Sequence, residues 1–196
     1  MLRRDPQAPL TMARAAEAVD ASPMSLYRYF QDRDDLLVSV TRHVLRDAGS
    51  GVPDDAPWPE RVRAWMTTVY AQAVAHPQLF HLAASGESPA WLTCSARLAA
   101  ILESAGFLDD RQLASAIYLI GTVTLGQVMV TAASGEELSL PRLYGAVGHL
   151  TPEEAERVAP LLAHFVAVGA GGFELVVEFT IAALRSMDWD AALGLL

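Results

Sequence analysis

The stretch that most constrains the fold runs from Leu10 to Leu37, where two short helical segments flank a two-residue connection. Thr11 can cap the first segment by accepting a backbone N–H, and strong helix formers follow it. Ser22 and Pro23 are residue types preferred at the N-cap and first position of a helix. The connection, Asp20-Ala21, requires a sharp turn, and Asp tolerates a positive φ better than most residues. This pattern predicts a helix-turn-helix, a form that many DNA-reading domains share.

Helical spacing divides the second segment between two faces. Leu26 and Phe30 lie four residues apart, so we expect them to point together into a small core. The outward residues are aromatic, hydroxylic and cationic. A guanidinium such as that of Arg28 can pair with guanine in the major groove, whereas Tyr and Ser hydroxyls commonly hold phosphates. An amphipathic surface helix without a role in DNA binding would give the same pattern. The spacing alone therefore does not distinguish a DNA-binding helix from an ordinary surface helix.

A third helix is predicted to begin after Asp32, which can act as its N-cap, and to run to about Ala48. Asp35 lies where the acid of a capping box would lie, and acidic residues suit the positive end of the helix dipole.

With three helices in this order, the stretch resembles the DNA-binding domain of the TetR family of transcriptional repressors. The matching residues are Leu10, Thr11, Met12, Ala16, Ser22, Leu26, Tyr27, Arg28, Tyr29, Phe30, Arg33, Leu36 and Leu37. The resemblance implies phosphate contacts for Ser22, Tyr27, Tyr29 and Arg33, and base contacts for Met24, Ser25 and Arg28. With Thr11, these residues form the candidate DNA-binding set.

Two features depart from the family pattern. The turn carries Asp20 and Ala21 where the family has Gly and an aliphatic residue. The family also places a helix of about a dozen residues before the motif, and here only the segment from Met1 to Pro6 precedes the loop. We therefore expect Met1 to lie inside that helix, and a DNA-binding domain over residues 1–48 whose first helix is truncated.

Charge is distributed unevenly along the chain. The net charge is −9, but residues 1–49 contain seven Arg and seven acidic residues, so the excess of acid lies in residues 50–196. Attraction to DNA must then come from local placement of Arg14, Arg28, Arg33 and Arg42, and it should weaken as salt rises.

Composition indicates a cytoplasmic protein. Hydrophobic residues make up 52% of the 196, yet polar residues or Gly interrupt every stretch before it reaches the ~20 apolar residues that span a bilayer. No signal segment is evident. Cys94 is the single cysteine, which excludes an intramolecular disulfide and a cysteine cluster for zinc.

Residues 49–196 are predicted to form a larger helical domain after a linker rich in Gly and Pro. The predicted helices span a segment ending before Pro77 and then about 77–84, 89–104, 110–134, a helix opening at Thr151, and 172–187. The helices over 110–134 and 172–187 are apolar nearly all round, so other helices must pack against them on several sides. A homodimer supplies that packing and would match a near-palindromic operator in double-stranded DNA. An ordinary monomer core is the alternative.

The resemblance also implies an effector pocket among the body helices. The candidate contacts are mainly apolar side chains, and a few of them end in a group that can hydrogen-bond. They are Trp65, Met66, Tyr70, Tyr118, Thr122, Gln127, Met129 and Phe165. Such residues at helical spacing are also typical of a core. This mixture favours a small hydrophobic or aromatic effector.

Enzyme and metal motifs are lacking: there is no HExxH, no Gly-rich phosphate loop and no GxSxG, and the His residues are scattered. We therefore expect an all-α, ligand-responsive repressor without cofactor, metal or catalytic residues. The alternative is a helical small-molecule binding protein whose DNA-reading head does not function. A helical enzyme is a weaker third possibility.

Overall fold

A computed structural model of the chain describes residues 11–47, 51–77, 80, 90–107, 109–133 and 139–194. The described residues form helices joined by turns, without a strand, which confirms the all-α prediction. We call the described residues up to 47 the head; its helices are α1 (Met12–Ala18), α2 (Pro23–Leu26) and α3 (Arg33–Leu45). We call the described residues from 51 onward the body; its helices are α4 (Trp58–Ala75), α5 (Ala90–Glu103), α6 (Asp110–Ala133), α7 (Leu140–Val147), α8 (Pro152–Val158), α9 (Leu162–Ala170), α10 (Gly172–Ser186) and α11 (Trp189–Leu193).

The turn of the head is a Schellman motif at the end of α1. The Ala21 N–H donates to the Ala16 carbonyl at 2.9 Å, and the Asp20 N–H donates to Glu17 at 3.2 Å. Asp20 has a φ of 52°, the left-handed conformation that this motif requires. The same motif ends α5, where Phe107 bonds back to Leu102 and the left-handed position is Gly106, with a φ of 93°. Asp20 therefore adopts the positive φ that the sequence predicts for this sharp turn.

Caps begin α2 and α3. The Ser22 hydroxyl accepts the Ser25 N–H at 3.2 Å, and one Asp32 carboxylate oxygen accepts the N–H groups of Asp34 and Asp35, each at 2.9 Å. Asp35 reaches back to the N–H of Gln31, one residue before the expected capping-box partner. Helix α3 ends at Leu45, three residues before the predicted end.

Antiparallel helices build the body. Arg61, near the start of α4, donates to Ser104 beyond the end of α5 at 3.0 Å, whereas Trp65 donates to the Cys94 carbonyl nearer the start of α5. These two helices therefore run in opposite directions. Helix α10 also opposes α4, because Arg63 bonds to Glu178 while Tyr70, farther along α4, stacks on Phe173.

Helix α6 runs parallel to α4. Their C-terminal halves are linked by a 2.8 Å hydrogen bond between the Tyr70 and Thr131 hydroxyls, and their first turns supply Trp58 and Gln112 to one cleft. The bundle of α4, α5, α6 and α10 thus has two distinguishable ends. One, with the starts of α4 and α6, contains the cleft, and the other contains the junction of Tyr70, Thr131 and Phe173.

The head is packed onto the body. Helix α3 contacts α5 and, over a smaller area, α4. One apolar core therefore continues from the head into the bundle. Its fully buried side chains include Leu45, Val62, Met66, Leu98, Ile101, Leu102 and Ile120. The division at residues 48 and 49 stays a prediction.

Two predicted elements differ from the structure or lie outside it. The helix expected to follow Thr151 opens with a complete capping box but is interrupted by a 3-10 turn, Ala159–Leu161, because Pro160 offers no N–H to an α-helix. The truncated first helix and most of residues 77–84 fall outside the described residues.

Helix α6 has the length and hydropathy of a membrane span over Asp110–Thr131, and it is the helix in the described part of the chain that passes this test by itself. Core helices of soluble proteins pass the same test. In this fold α6 packs against α4, α5 and α10.

Candidate DNA interface and effector region

The candidate DNA-reading residues lie around α2 and the turn that follows it. Met24 and Tyr29 are 76% and 77% exposed, and Tyr27 is also exposed. Leu26 and Phe30 pack against the core instead, as their spacing predicts. The inward pair therefore fixes the outward side chains on one surface.

Regular α-helix ends at Leu26, and successive hydrogen-bonded turns continue to Phe30. Tyr27 bonds back to Pro23, and both Tyr29 and Phe30 bond back to Leu26, the latter two at 2.9 Å. Arg28 lies on this continuation with an exposed side chain. The candidate DNA-reading residues 22–30 thus lie on about two successive helical turns.

Two hydroxyls of the candidate set are coupled. Ser22 and Ser25 lie 2.8 Å apart, oxygen to oxygen, so one donates to the other. Ser25 was predicted to face bases and Ser22 to face phosphate. Their bond holds both side chains at the start of α2.

The remaining two candidates have local roles in the head. The Thr11 hydroxyl caps α1 by accepting the Arg14 N–H at 3.2 Å. Arg33 is exposed and forms an ion pair with Asp34 at 3.3 Å. A phosphate contact by Arg33 would compete with that carboxylate.

Two of the effector candidates are core residues. Met66 is fully buried, and Trp65 is buried with its indole N–H bonded to the Cys94 carbonyl at 3.0 Å. Burial raises the pKa of the Cys94 thiol to about 11. Trp65 thereby ties α4 to α5, the helix that holds the head.

Tyr70 and Gln127 lie at the junction of α4, α6 and α10. The Tyr70 ring stacks on Phe173 with ring centres 3.9 Å apart, and its hydroxyl meets Thr131. Gln127 lies so close to Gly172 that a Cβ there would come within 3.1 Å of its amide nitrogen. A side chain at residue 172 would therefore displace Gln127.

The other four candidates are exposed. Tyr118, Thr122 and Met129 share one face of α6, where Tyr118 is 76% exposed. Phe165 lies on α9 and is half-exposed. The eight candidates thus occupy four places: the α4 core, the junction, this exposed face of α6, and α9. Their contact with an effector stays a prediction.

The sequence reasoning missed an aromatic cleft of about 300 Å³ at the other end of the bundle. Its rings, Trp58, Phe107 and Trp189, come from the first residues of α4 and α11 and from the turn that ends α5. Aromatic residues placed at helix ends could have indicated it, because such positions fall outside helical periodicity. Among the described residues, no group of three His, Cys, Asp or Glu side chains could hold a metal.

No family's sequence profile matches the chain, and no curated protein sequence matches it. Solved structures do. A possible TetR family transcriptional regulator from Streptomyces coelicolor A3(2) has a TM-score of 0.68 and 26% identity, over 94% of this chain and 93% of that one.

Two further structures have related folds. The Streptomyces coelicolor TetR family protein ActR, in complex with actinorhodin, has a TM-score of 0.73 and 23% identity, over 94% of this chain and 91% of its own. BioQ with its double-stranded DNA operator has a TM-score of 0.56 and 21% identity, over 92% and 91%. The helix-turn-helix at the residues of the motif therefore lies within a fold that this chain shares, along almost its whole length, with solved TetR family transcriptional regulators.

Proposed function

We propose that this chain is a ligand-responsive transcriptional repressor. It binds a near-palindromic site in double-stranded DNA as a homodimer and is released by a small hydrophobic or aromatic effector. The observation that carries the proposal is the single exposed surface formed by Met24, Tyr27, Arg28 and Tyr29. A guanidinium for base edges and phenols for phosphates is the chemistry of such an interface. BioQ, whose structure holds its operator, has the same fold.

A homodimer is supported by the poor cover of α9 in a single chain. This helix is almost entirely apolar, yet Phe165 and Val168 are about half-exposed. On the neighbouring α10, Leu175 and Phe179 lie four residues apart on one face, and Phe179 is 66% exposed. Apolar area of this kind on two adjacent helices favours burial against a second copy.

Phe179→Glu tests the dimer, because it places a charge in the proposed interface. We expect light scattering after gel filtration to show a dimer for the wild type and a monomer for this variant. Leu92→Glu is the matched control, since Leu92 is also exposed but lies on α5. A wild-type monomer would contradict this part of the proposal.

The proposed effector contacts are the predicted residues, which lie at the junction (Tyr70, Gln127), on α9 (Phe165) and on the exposed face of α6 (Tyr118, Thr122, Met129). Trp65 and Met66 are buried in the core, so they lie outside this exposed face. An aromatic effector is favoured by the composition of this face and is in keeping with ActR, which has been solved with actinorhodin. Because α5 packs on α3, movement of α5 against α4 would carry the change to the head.

Release by an effector is measured by adding a panel of aromatic compounds, beginning with actinorhodin, to the protein bound to its DNA site. A compound that releases wild-type protein should be weaker on Tyr118→Ala and Tyr70→Phe. Equal release of both variants would remove these residues from the effector contacts.

The second candidate, a helical small-molecule binding protein with a non-functional head, is favoured by one observation. Residues 1–49 carry no net charge, and Arg33 already has a carboxylate partner in Asp34. A head of this kind binds DNA weakly without specific base contacts.

Genomic DNA capture by the purified protein, followed by footprinting at low and physiological salt, separates the two functions. The repressor should protect a near-palindromic site, and Tyr27→Ala and Arg28→Ala should each weaken that binding roughly 5- to 150-fold, as expected for loss of about 1–3 kcal/mol. Arg46→Ala removes the same charge at the far end of α3 and serves as the control. Recovery of ligand binding with no protected site would favour the second candidate. A regulator of this kind acts on cytoplasmic DNA, so we propose that location.

A further inference from the structure

The aromatic cleft lies at the opposite end of the bundle from the Tyr70 junction. Its lining includes Trp58 at the start of α4, Gly106 and Phe107 after α5, Gln112 in the first turn of α6, and Arg185 and Trp189 near the end of the body. A volume of about 300 Å³ falls at the lower limit of ligand pockets, roughly 300–1,000 Å³, which suits a compound with a single ring.

The three rings of the cleft form a continuous edge-to-face chain. Trp58 and Phe107 have ring centres 6.3 Å apart at 73°, and Phe107 and Trp189 have centres 5.5 Å apart at 83°. Phe107 is buried, whereas both indoles are only partly covered. The partly covered indoles therefore offer aromatic surface to a planar guest.

The cleft lining contributes a cationic side chain, and Glu178, which pairs with Arg63, lies near enough to interact electrostatically with that side chain. The Arg185 guanidinium carbon lies 5.7 Å from the Trp58 ring centre, and Arg185 is the one charged side chain among the described residues of the lining. The carboxylates of Asp109 and Asp188, which adjoin the cleft in sequence, accept backbone N–H groups at the starts of α6 and α11. Gln112 adds an amide donor. A guanidinium beside aromatic rings fits the carboxylate of a small aromatic acid.

We propose that this cleft is a second ligand site, separate from the effector region, which takes a single-ring aromatic carboxylate. The ring lies against Trp58 and Trp189, and the carboxylate pairs with Arg185. Gly106, with its left-handed backbone, shapes the turn that brings Phe107 to the cleft.

The site also adjoins the helices that hold the head. Ala105 and Gly106 follow directly from α5, which packs on α3, and Trp58 begins α4. Occupancy therefore alters the support of the head. This regulatory consequence rests on the proposed function, whereas the binding itself does not.

Titration with benzoate tests the binding, followed by ligand-observed NMR and by quenching of tryptophan fluorescence. Benzamide and benzylamine have the same ring with a neutral and a cationic group. We expect benzoate to bind about tenfold more tightly than either, and Arg185→Gln to abolish that preference. Trp189→Ala should weaken all three compounds. Arg157→Gln, an exposed Arg on α8, is the matched control.

Three results would overturn the site. The first is no benzoate binding at up to ~10 mM, since a weaker affinity would be too low for a specific site. The others are equal binding of benzoate and benzamide, and benzoate binding that is unchanged in both cleft variants. Circular dichroism checks that the variants fold. Operator affinity with and without benzoate is a separate measurement. A benzoate complex that leaves operator affinity unchanged would retain the site and refute its regulatory consequence, and a protein that binds benzoate but no operator would refute the proposed function alone.

Discussion

Replacing Asp20 with glycine should stabilise the head, because Asp20 occupies the left-handed position of the turn that ends α1. Its φ of 52° is required by the two hydrogen bonds of the Schellman motif. The left-handed conformation costs an L-residue roughly 1–2 kcal/mol, with Asp at the low end of that range because its side chain can hydrogen-bond locally. At the end of α5 the chain uses Gly106 for the same position.

The expected gain in the free energy of unfolding is the backbone strain that glycine relieves, less the conformational entropy that glycine adds to the unfolded chain. That entropy costs about 0.4–1 kcal/mol, so Asp20→Gly should gain up to about 0.6 kcal/mol. Ala18→Gly is the control. Ala18 is exposed and is the last residue of α1, where glycine should cost up to about 1 kcal/mol. Two substitutions to glycine, two residues apart, should therefore have opposite signs.

Urea unfolding followed by far-UV circular dichroism gives both free energies, and amide exchange in α1 locates them in the head. A loss of stability in Asp20→Gly equal to that in Ala18→Gly would refute the argument from backbone strain.

Three further outcomes follow from single residues. Gly106→Ala should cost about 1–2 kcal/mol through φ alone, because a Cβ there meets nothing within 4 Å; urea unfolding measures it. Hydrogen bonds from Thr151 lower the pKa of Glu154, so the stability of α8 should be complete above the ordinary Glu pKa and be lost as pH falls through the lowered one. NMR titration should show this pKa rising part of the way toward its ordinary range in Thr151→Ala, which removes the hydroxyl donor and keeps the backbone N–H donor. The Cys94 thiol, whose pKa is raised to about 11, should react with a thiol reagent at neutral pH only as the protein unfolds, and rapid reaction of the native protein would contradict its burial.

The head could be predicted largely from sequence because its signals are local. The Thr11, Ser22 and Asp32 caps, the Asp20 turn and the inward pair of Leu26 and Phe30 each depend on residues within about one turn of one another. The bounds of α6 and α10 likewise agree with prediction to within one residue, since glycines lie beside these two long apolar runs in the sequence.

The surroundings of the effector candidates and the aromatic cleft depend on contacts between residues that are distant in sequence. Local patterns could therefore not predict which side chains meet there. Trp65 and Tyr118 are both aromatic residues on helices, yet Trp65 is buried and bonded to Cys94 while Tyr118 is exposed. Spacing along one helix does not reveal which neighbour covers a face. Trp58, Phe107 and Trp189 are far apart in sequence and meet only through the antiparallel packing of the bundle.

The central claim, that Arg28 reads bases while Arg33 holds phosphate, is tested most directly by measuring operator affinity against salt concentration for Arg28→Ala and Arg33→Ala. On the footprinted site and on single-base variants of it, Arg28→Ala should lose discrimination at one base pair in each half-site, worth about 1–3 kcal/mol. Arg33→Ala should weaken all sequences alike and reduce the salt slope by about one per subunit. Equal weakening of every sequence by Arg28→Ala, with no loss of base discrimination, would contradict the account.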